Sequence, residues 1–402
     1  MEFGVFFNGY LPGPAAHDRG CEHTMITTEM SLAIAADRHN WKYAWFGEHH
    51  GLTEYSHLSA PEVVMGYVAA RTERIHLGSA IMSLSPRKEH PVRYAERAAM
   101  LDHITDGRYE FGTGRGAGTH EVMSFNITDT NSTKVEWDEV IREIPRMWAQ
   151  HDYEHHGETF TVPTPHNVLP KPHGSSHPPI WVACGNPATF GKAGALGIGA
   201  IAFTFEPVPS LAPHIAASKE AAAACTEPLG EYQNNNVMMT AGMVCLSDRR
   251  RAREIALEAG RGYQPSMVAL YHDTLPDRPN RARWPQAPFQ IPDEATLDIL
   301  LENGYFLCGD PDDICEQVSR FAHIDIDQLV FGMPAEGLQS DEQLEMIEVF
   351  GKQVIPEFDT DPVHSTTRFR AMAQPKWPPF NGPVPEISVS VLPSNAMVAL
   401  PS

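Results

Sequence analysis

Glu48, His49 and His50 follow the apolar, aromatic stretch 43–46 directly. A run of this kind is typical of a buried strand in a parallel sheet. In folds built from parallel strands, chemistry gathers where the strands end. Histidine also changes its charge close to neutral pH. The three residues therefore predict an acid–base site, and the alternative is a polar loop without a catalytic role.

A glycine-rich turn is the second candidate. Residues 111–118 read Phe-Gly-Thr-Gly-Arg-Gly-Ala-Gly. Glycines let a backbone approach an anion closely, and the guanidinium of Arg115 suits a phosphate. The turn is not a dinucleotide fingerprint, because Ala117 stands where a glycine is required, and no Gly-Lys-Ser/Thr of a P-loop follows. We predict a phosphate-binding turn at Arg115, Gly116, Ala117 and Gly118; an ordinary turn between strand and helix is the alternative.

A second anion-binding turn is predicted at Gly185 and Asn186. Asn186 is a good helix N-cap before Pro187, and Thr189 lies in the first turn of that helix. The free N–H groups of a helix N-terminus can hold a phosphate. An ordinary helix cap is the alternative at this position.

These candidates sit within a regular alternation of strands and helices. About eight such units predict a parallel sheet with right-handed crossovers, closed into a (β/α)8 TIM barrel of the α/β class. The predicted strands are 3–8, 43–47, 75–82, 108–113, 179–184, 199–203, 237–246 and 328–332. The predicted helices are 27–39, 61–71, 92–104, 134–149, 187–196, 210–225, 248–262 and 341–354.

Three segments fall outside the alternation. We predict a barrel over 1–358 with two long, proline-rich insertions at about 151–177 and 263–310, which we expect to act as lids or to shape a substrate pocket. The rest, 359–402, is predicted to be a C-terminal extension. Its proline-rich end from 374 reads as an extended arm, in which 387–392 could add an edge strand.

Composition excludes several classes of partner. A formal charge of -21 argues against nucleic acid and anionic membranes, which need clustered Lys and Arg. No apolar run approaches the roughly 20 residues that span a bilayer, and no signal peptide is recognisable. Six scattered cysteines without a CxxC pair suggest reduced thiols, so we expect a cytoplasmic protein. The histidines of 151–177 lack metal-ligand spacing, and there is no GxSxG serine-hydrolase motif.

In its order of motifs the chain resembles the bacterial luciferase-like flavin monooxygenases, a family of (β/α)8 barrels. The resemblance covers about residues 1–358. The matching segments are 3–6, 48–50, 77–81, 90–93 with Glu96, 101–102, 107–108, 111–116, 179–182, Gly197, 309–311 and the closing helix to Pro356.

The resemblance implies the chemistry of the site. It implies that reduced FMN, supplied by a separate flavin reductase, reacts with O2 to a C4a-peroxyflavin that oxygenates a small organic substrate. His49 falls on the family's catalytic histidine, and we expect Glu48 or His50 to fix its tautomer.

The resemblance also implies contacts and assembly. Ala80 and Ile81 occupy the place of a cis peptide bond beneath the flavin. The two turns would hold the phosphate, although the luciferase branch has glutamate and serine at the positions of Gly185 and Asn186. A homodimer through the second and third barrel helices is expected. Alternatives are an F420-dependent hydride-transfer enzyme, a non-catalytic flavin-binding barrel subunit and a metal-dependent barrel hydrolase.

Overall fold

Eight parallel strands form a closed barrel in the computed structural model. The structure describes residues 1–11, 13–52, 55–116, 118–203, 206–258, 293–332 and 337–377. Pairing runs in chain order around the barrel, and the last strand pairs with the first. The TIM barrel prediction is confirmed. The strands are β1 Glu2–Phe7, β2 Tyr43–Phe46, β3 His76–Ser79, β4 Tyr109–Gly114, β5 Ile180–Cys184, β6 Gly199–Phe203, β7 Val237–Cys245 and β8 Gln328–Gly332.

Aromatic side chains fill the interior of the barrel. Trp45 and Trp181 meet edge to face, with their ring centroids 5.3 Å apart. Each tryptophan lies against a glycine of the next strand: a Cβ at Gly78 would come within 2.2 Å of Trp45, and one at Gly199 within 2.3 Å of Trp181. The outward residues of the strands pack beneath the helices.

Helices lie around the barrel close to each of the eight predicted positions. The main difference is the first helix, which begins at Arg19 rather than at residue 27, with Asp18 as its N-cap. The helices are α1 Arg19–Arg38, α2 Pro61–Ala69, α3 Pro91–Ile104, α4 Ser132–Ala149, α5 Pro187–Ala195, α6 Val208–Ala224, α7 Arg249–Glu258 and α8 Ser340–Val349. Helical turns at Phe350–Val354 and Ile355–Phe358 continue α8.

The first insertion contains regular structure. It forms an antiparallel hairpin of Tyr153–His156 and Thr161–His166, and the Tyr153 hydroxyl donates to Glu143 of α4. Phe160 at its turn meets His90 beside α3. The hairpin therefore packs against the outer helices α3 and α4. The role of 151–177 as a lid or as part of a substrate pocket stays a prediction.

The second insertion is partly regular structure. Within 263–310, a helix spans Glu294–Asn303 and a strand Phe306–Gly309 pairs in parallel with the far half of β7. A further helix, Pro311–Ala322, leads to β8. Residues 259–292 lie outside the described ranges. The predicted loop over 293–310 is thus replaced by a helix and a strand.

The beginning of the C-terminal extension packs beneath the barrel. The helix Ser365–Ala371 faces the N-terminal ends of the strands, where Thr366 donates to Glu110 and Ser365 to Glu2. Arg370 forms two hydrogen bonds to Asp102, at 2.8 and 2.7 Å. The remaining arm from 378, with the predicted edge strand 387–392, lies outside the described residues.

Candidate active site

The acid–base residues lie at the end of β2, and a glutamate from a short helix that follows another strand joins them. Nδ1 of His49 lies 3.1 Å from Oε2 of Glu121, and both side chains are buried. Glu121 belongs to the short helix Thr119–Met123, which follows β4. The ring of Tyr55 meets His49 edge to face at 4.7 Å. The imidazole is therefore held on two sides.

The predicted roles of Glu48 and His50 need correction. Oε1 of Glu48 lies 3.1 Å from Nε2 of His50, so these two residues bind each other. His49 turns instead towards Glu121, whose strand lies two places further round the barrel. The tautomer of His49 is thus set by a residue 72 positions away, which strand-end spacing alone could not indicate.

Glu121 is a carboxylate at neutral pH. Burial acts to raise its pKa, but the charge of His49, the hydrogen bond from it and the charge of Lys88 together bring the pKa below its usual value. An ionised Glu121 can only accept, so Nδ1 of His49 carries the proton. Nε2 is then the nitrogen that can take up or release a proton.

Lys88 is a buried cation beside this group. Its Nζ lies 3.6 Å from Glu121 Oε1 and 4.0 Å from Glu48 Oε1. The ammonium also stands over the ring of Phe125, 4.7 Å from its centre. From the sequence, the segment 86–91 has no assigned role, because a lysine in a polar loop is usually solvated.

The Ala80–Ile81 peptide bond at the end of β3 is cis, as the resemblance implied. Glycines of β4 accommodate this part of the chain. A Cβ at Gly112 would fall 1.8 Å from the Ser79 carbonyl oxygen, and one at Gly114 would fall 2.8 Å from the Ile81 side chain. After the cis bond, Met82–Ser83 pairs with β4 again. The glycine-rich motif is therefore needed in part for packing.

The rest of that motif forms the turn after β4. Gly116 and Gly118 have φ of +90° and +67°, which favour glycine. Nη1 of Arg115 donates to the Thr130 carbonyl at 3.1 Å. Ala117 lies outside the described residues. Arg115 thus connects the turn to the chain just before α4, and its predicted phosphate contact stays a prediction.

The turn after β5 is adjacent to the turn after β4. Thr113 of β4 pairs with Val182 of β5, so the chain leaves the two strands side by side. Oδ1 of Asn186 accepts from the backbone N–H of Thr189 at 3.2 Å, which caps α5. Gly185 and Asn186 are exposed. The structure therefore brings the two predicted phosphate turns together.

This arrangement fits a flavin or deazaflavin cofactor. An apolar cluster near the C-terminal ends of the strands includes Phe6, Tyr55, Ala80, Ile81 and Phe203, and such a lining suits a flat ring system. The buried hydroxyl of Ser83, close to Gly116, has no hydrogen-bond partner among the described residues. The two turns lie at one side of this surface and His49 at another.

Metal sites and membrane spans bear on the alternative functions. Among the described residues, no group of three or more His, Cys, Asp or Glu side chains is arranged to hold a metal ion. Over the same ranges, no helix has the length and apolar character needed to cross a membrane.

Relatives with assigned names match part of the chain. Over 171 residues, the chain is 31% identical to the oxygenase component of a flavin-dependent trigonelline monooxygenase from Acinetobacter baylyi. The match covers 42% of this chain and 46% of that protein. The chain spans less than half the length of the curated relatives that it matches first.

Solved structures share the fold over most of the chain. The oxygenating constituent of 3,6-diketocamphane monooxygenase from Pseudomonas putida, in complex with FMN, has a TM-score of 0.71 at 19% identity, covering 89% of this chain and 98% of that one. The F420-dependent tetrahydromethanopterin reductase from Methanopyrus kandleri has a TM-score of 0.64 at 19% identity, covering 89% and 99%. At these identities the likeness shows the fold alone.

A protein-family model matches a longer part of the chain than the curated relatives do. The model described as luciferase-like monooxygenase matches residues 1–328, which include every predicted site residue and the barrel strands up to the start of β8. The protein belongs to the luciferase-like monooxygenase family.

Proposed function

We propose that the protein is the oxygenase of a two-component system, which uses reduced FMN and O2 to oxygenate a small organic substrate. The observation that carries the proposal is the buried His49–Glu121 pair at the mouth of the barrel. It lies at the same strand ends as the cis peptide bond and the two adjacent turns. The family match and the FMN complex of a fold neighbour support this cofactor.

The chain's own residues would bind and orient the cofactor. Backbone N–H groups of Gly116 and Gly118 and the start of α5 at Gly185, Asn186 and Thr189 would hold the phosphate, with Arg115 beside them. Ala80 and Ile81 would lie beneath the ring system. Bound reduced FMN would supply the activation of O2.

His49 would handle the proton of the reaction. Its Nε2 would donate or accept while Glu121 stabilises the charged imidazole and Tyr55 limits its rotation. Glu48 and His50 form a supporting pair beside it. We therefore keep His49 as the catalytic residue and propose Glu121 as the residue that orients it.

Two partners belong to the proposal. The name of the Acinetobacter relative, an oxygenase component, supports a separate flavin reductase. A second copy of the chain is the other partner, because α2 and α3 expose the large apolar side chains of Val63, Tyr67, Met100 and Ile104. Solvation of such a patch is unfavourable, and a homodimer would bury it.

Cofactor choice is the decisive test. Titration of the purified protein with reduced FMN and with reduced F420, followed by fluorescence, should show tighter binding of FMN. O2 consumption with a flavin reductase should rise when the substrate is present. Tighter F420 binding would support the hydride-transfer alternative instead. FMN binding without O2 consumption over a broad set of substrates would support the non-catalytic subunit.

The phosphate turn has its own test in the Arg115→Ala variant. FMN and riboflavin share the ring system and differ in the phosphate, so the variant should lose FMN affinity by roughly tenfold or more, as expected for a lost charged contact. Riboflavin affinity should stay nearly constant and serves as the internal control. An equal loss for both ligands would instead indicate that Arg115 supports the loop through Thr130.

A further inference from the structure

Lys88 is buried without a hydrogen-bond acceptor. Its side chain is 5% exposed, and no described residue accepts a hydrogen bond from its Nζ. The side chain comes from the loop between Met82–Ser83 and α3. Burying a cation is costly unless opposite charges lie close. A methionine would fill similar space at less cost, so the charge itself needs an explanation.

The surrounding charges give that explanation. Lys88 lies between two carboxylates, Glu121 and Glu48, and each of them also binds one histidine of the β2 end. In Glu121 the two oxygens have different partners: Oε2 faces His49 and Oε1 faces Lys88. Lys88 is therefore linked to His49 through a single carboxylate.

Counting charges shows what Lys88 changes. Two carboxylates and one ammonium leave the group at -1, so one proton on an imidazole makes it neutral. Without the ammonium the group would stand at -2 and would favour a proton on both His49 and His50. Other ionisable groups lie nearby. Tyr55 contacts His49, and the charge of Glu48 acts to raise the pKa of Tyr94 and of Arg97 in α3.

We propose that Lys88 is a positioning residue for His49: its charge holds Glu121 as a carboxylate, keeps the imidazole proton on Nδ1 and limits the group to one further proton. Nε2 of His49 is thereby left to exchange the proton of the reaction. That reaction step rests on the proposed function, whereas the charge arrangement does not.

Titration of His49 in the protein without cofactor tests the proposal. Exchange of the imidazole C2 proton can be followed by mass spectrometry, with fragment ions separating His49 from His50. In Lys88→Met the midpoint for His49 should move to higher pH by about one unit, the size expected for a lost neighbouring charge. In Glu121→Gln it should move to lower pH. Lys88→Arg, which keeps the charge, should stay near the wild type.

Controls separate this role from a purely structural one. Lys192→Met removes a half-exposed lysine that pairs with Asp138 and should leave the His49 midpoint unchanged. An unchanged midpoint in Lys88→Met, or equal shifts in Lys88→Met and Lys88→Arg, would overturn the proposal. If circular dichroism shows that Lys88→Met does not fold, Lys88→Gln takes its place with the same expected direction.

Turnover gives a second readout. In Lys88→Met the limb of the pH–rate profile that reports His49 should shift to higher pH, whereas a packing defect would lower the rate at every pH. A protein that binds no flavin but shows the exchange shift would refute the proposed function and leave the assignment of Lys88 standing.

Discussion

His49 and Glu121 form one hydrogen-bonded pair, although they follow two different strands, β2 and β4. The imidazole can exchange a proton, while the carboxylate fixes which nitrogen does so. The sequence predicted the histidine because it directly follows an apolar strand. It did not predict the carboxylate, since the contact depends on how far β4 lies around the barrel from β2. A glutamate three residues after Gly118 is the one local signal that could have indicated it.

Replacing His49 tests the residue-scale assignment. His49→Gln should leave FMN binding nearly intact and lower turnover by about 10²–10⁴-fold, the range for a lost general acid or base. Binding and steady-state rates of the same preparation provide the measurement. His166→Gln, on the exposed hairpin strand, is the matched control and should keep wild-type turnover. Full activity of His49→Gln would remove this residue from the mechanism.

At the scale of elements, strands were easier to predict than the first helix. The barrel strands are almost fully buried, and most of them are mainly apolar, a pattern that is easily recognised in a sequence. The early part of α1 buries no residue before Leu32, so no apolar stripe marks its start. The antiparallel hairpin of the first insertion was not predicted, because its proline and histidine residues show no clear alternation of apolar and polar positions.

The glycine in β3 allows a packing test. Gly78→Ala would push a methyl group into the buried Trp45 ring, so it should lower the free energy of unfolding by about 1–3 kcal/mol. At Gly191 in α5, a methyl group would meet no described atom within 4 Å apart from its chain neighbours and the backbone of the helix itself. Gly191→Ala should therefore stabilise by about 0.5–1 kcal/mol. Urea unfolding of both variants checks the opposite signs; destabilisation of equal size would contradict the explanation.

The polar layer beneath the barrel predicts a pH dependence. Burial raises the pKa of Glu110 to about 8, although hydrogen bonds from Thr366 and Trp181 act to lower it. Because the pKa is raised in the folded protein, protonation of Glu110 stabilises the fold. This contribution to stability is fully present below the unfolded pKa of about 4.5 and is lost as the pH rises through about 8. Glu110→Gln removes this dependence.

Unfolding of wild type and Glu110→Gln at about pH 5.5 and about pH 8.5 provides the measurement. The stability of the variant relative to the wild type should increase by about 1–3 kcal/mol between the two pH values. A difference that does not vary with pH would show that Glu110 is ionised in the folded protein throughout this range.

For the whole molecule, the exposed patch on α2 and α3 predicts self-association. The two helices are adjacent, since a Cβ at Gly66 would lie 3.5 Å from Ile104. Tyr67→Glu and Ile104→Glu should convert a dimer into a monomer in light scattering after gel filtration, because each places a charge in the buried interface. Leu344→Glu, an exposed apolar position on α8, is the control. A wild-type monomer at micromolar concentration would refute the prediction.

The contact between Glu2 and Ser365 has a consequence for synthesis. These residues are 363 positions apart, yet they close the same end of the barrel. During synthesis from the N-terminus, Glu2, Asp102 and Glu110 lack their partners in the helix Ser365–Ala371 until that helix has been translated. Contacts of such long range form slowly. Ribosome-bound chains that end before residue 365 should therefore bind chaperones longer than chains that include this helix.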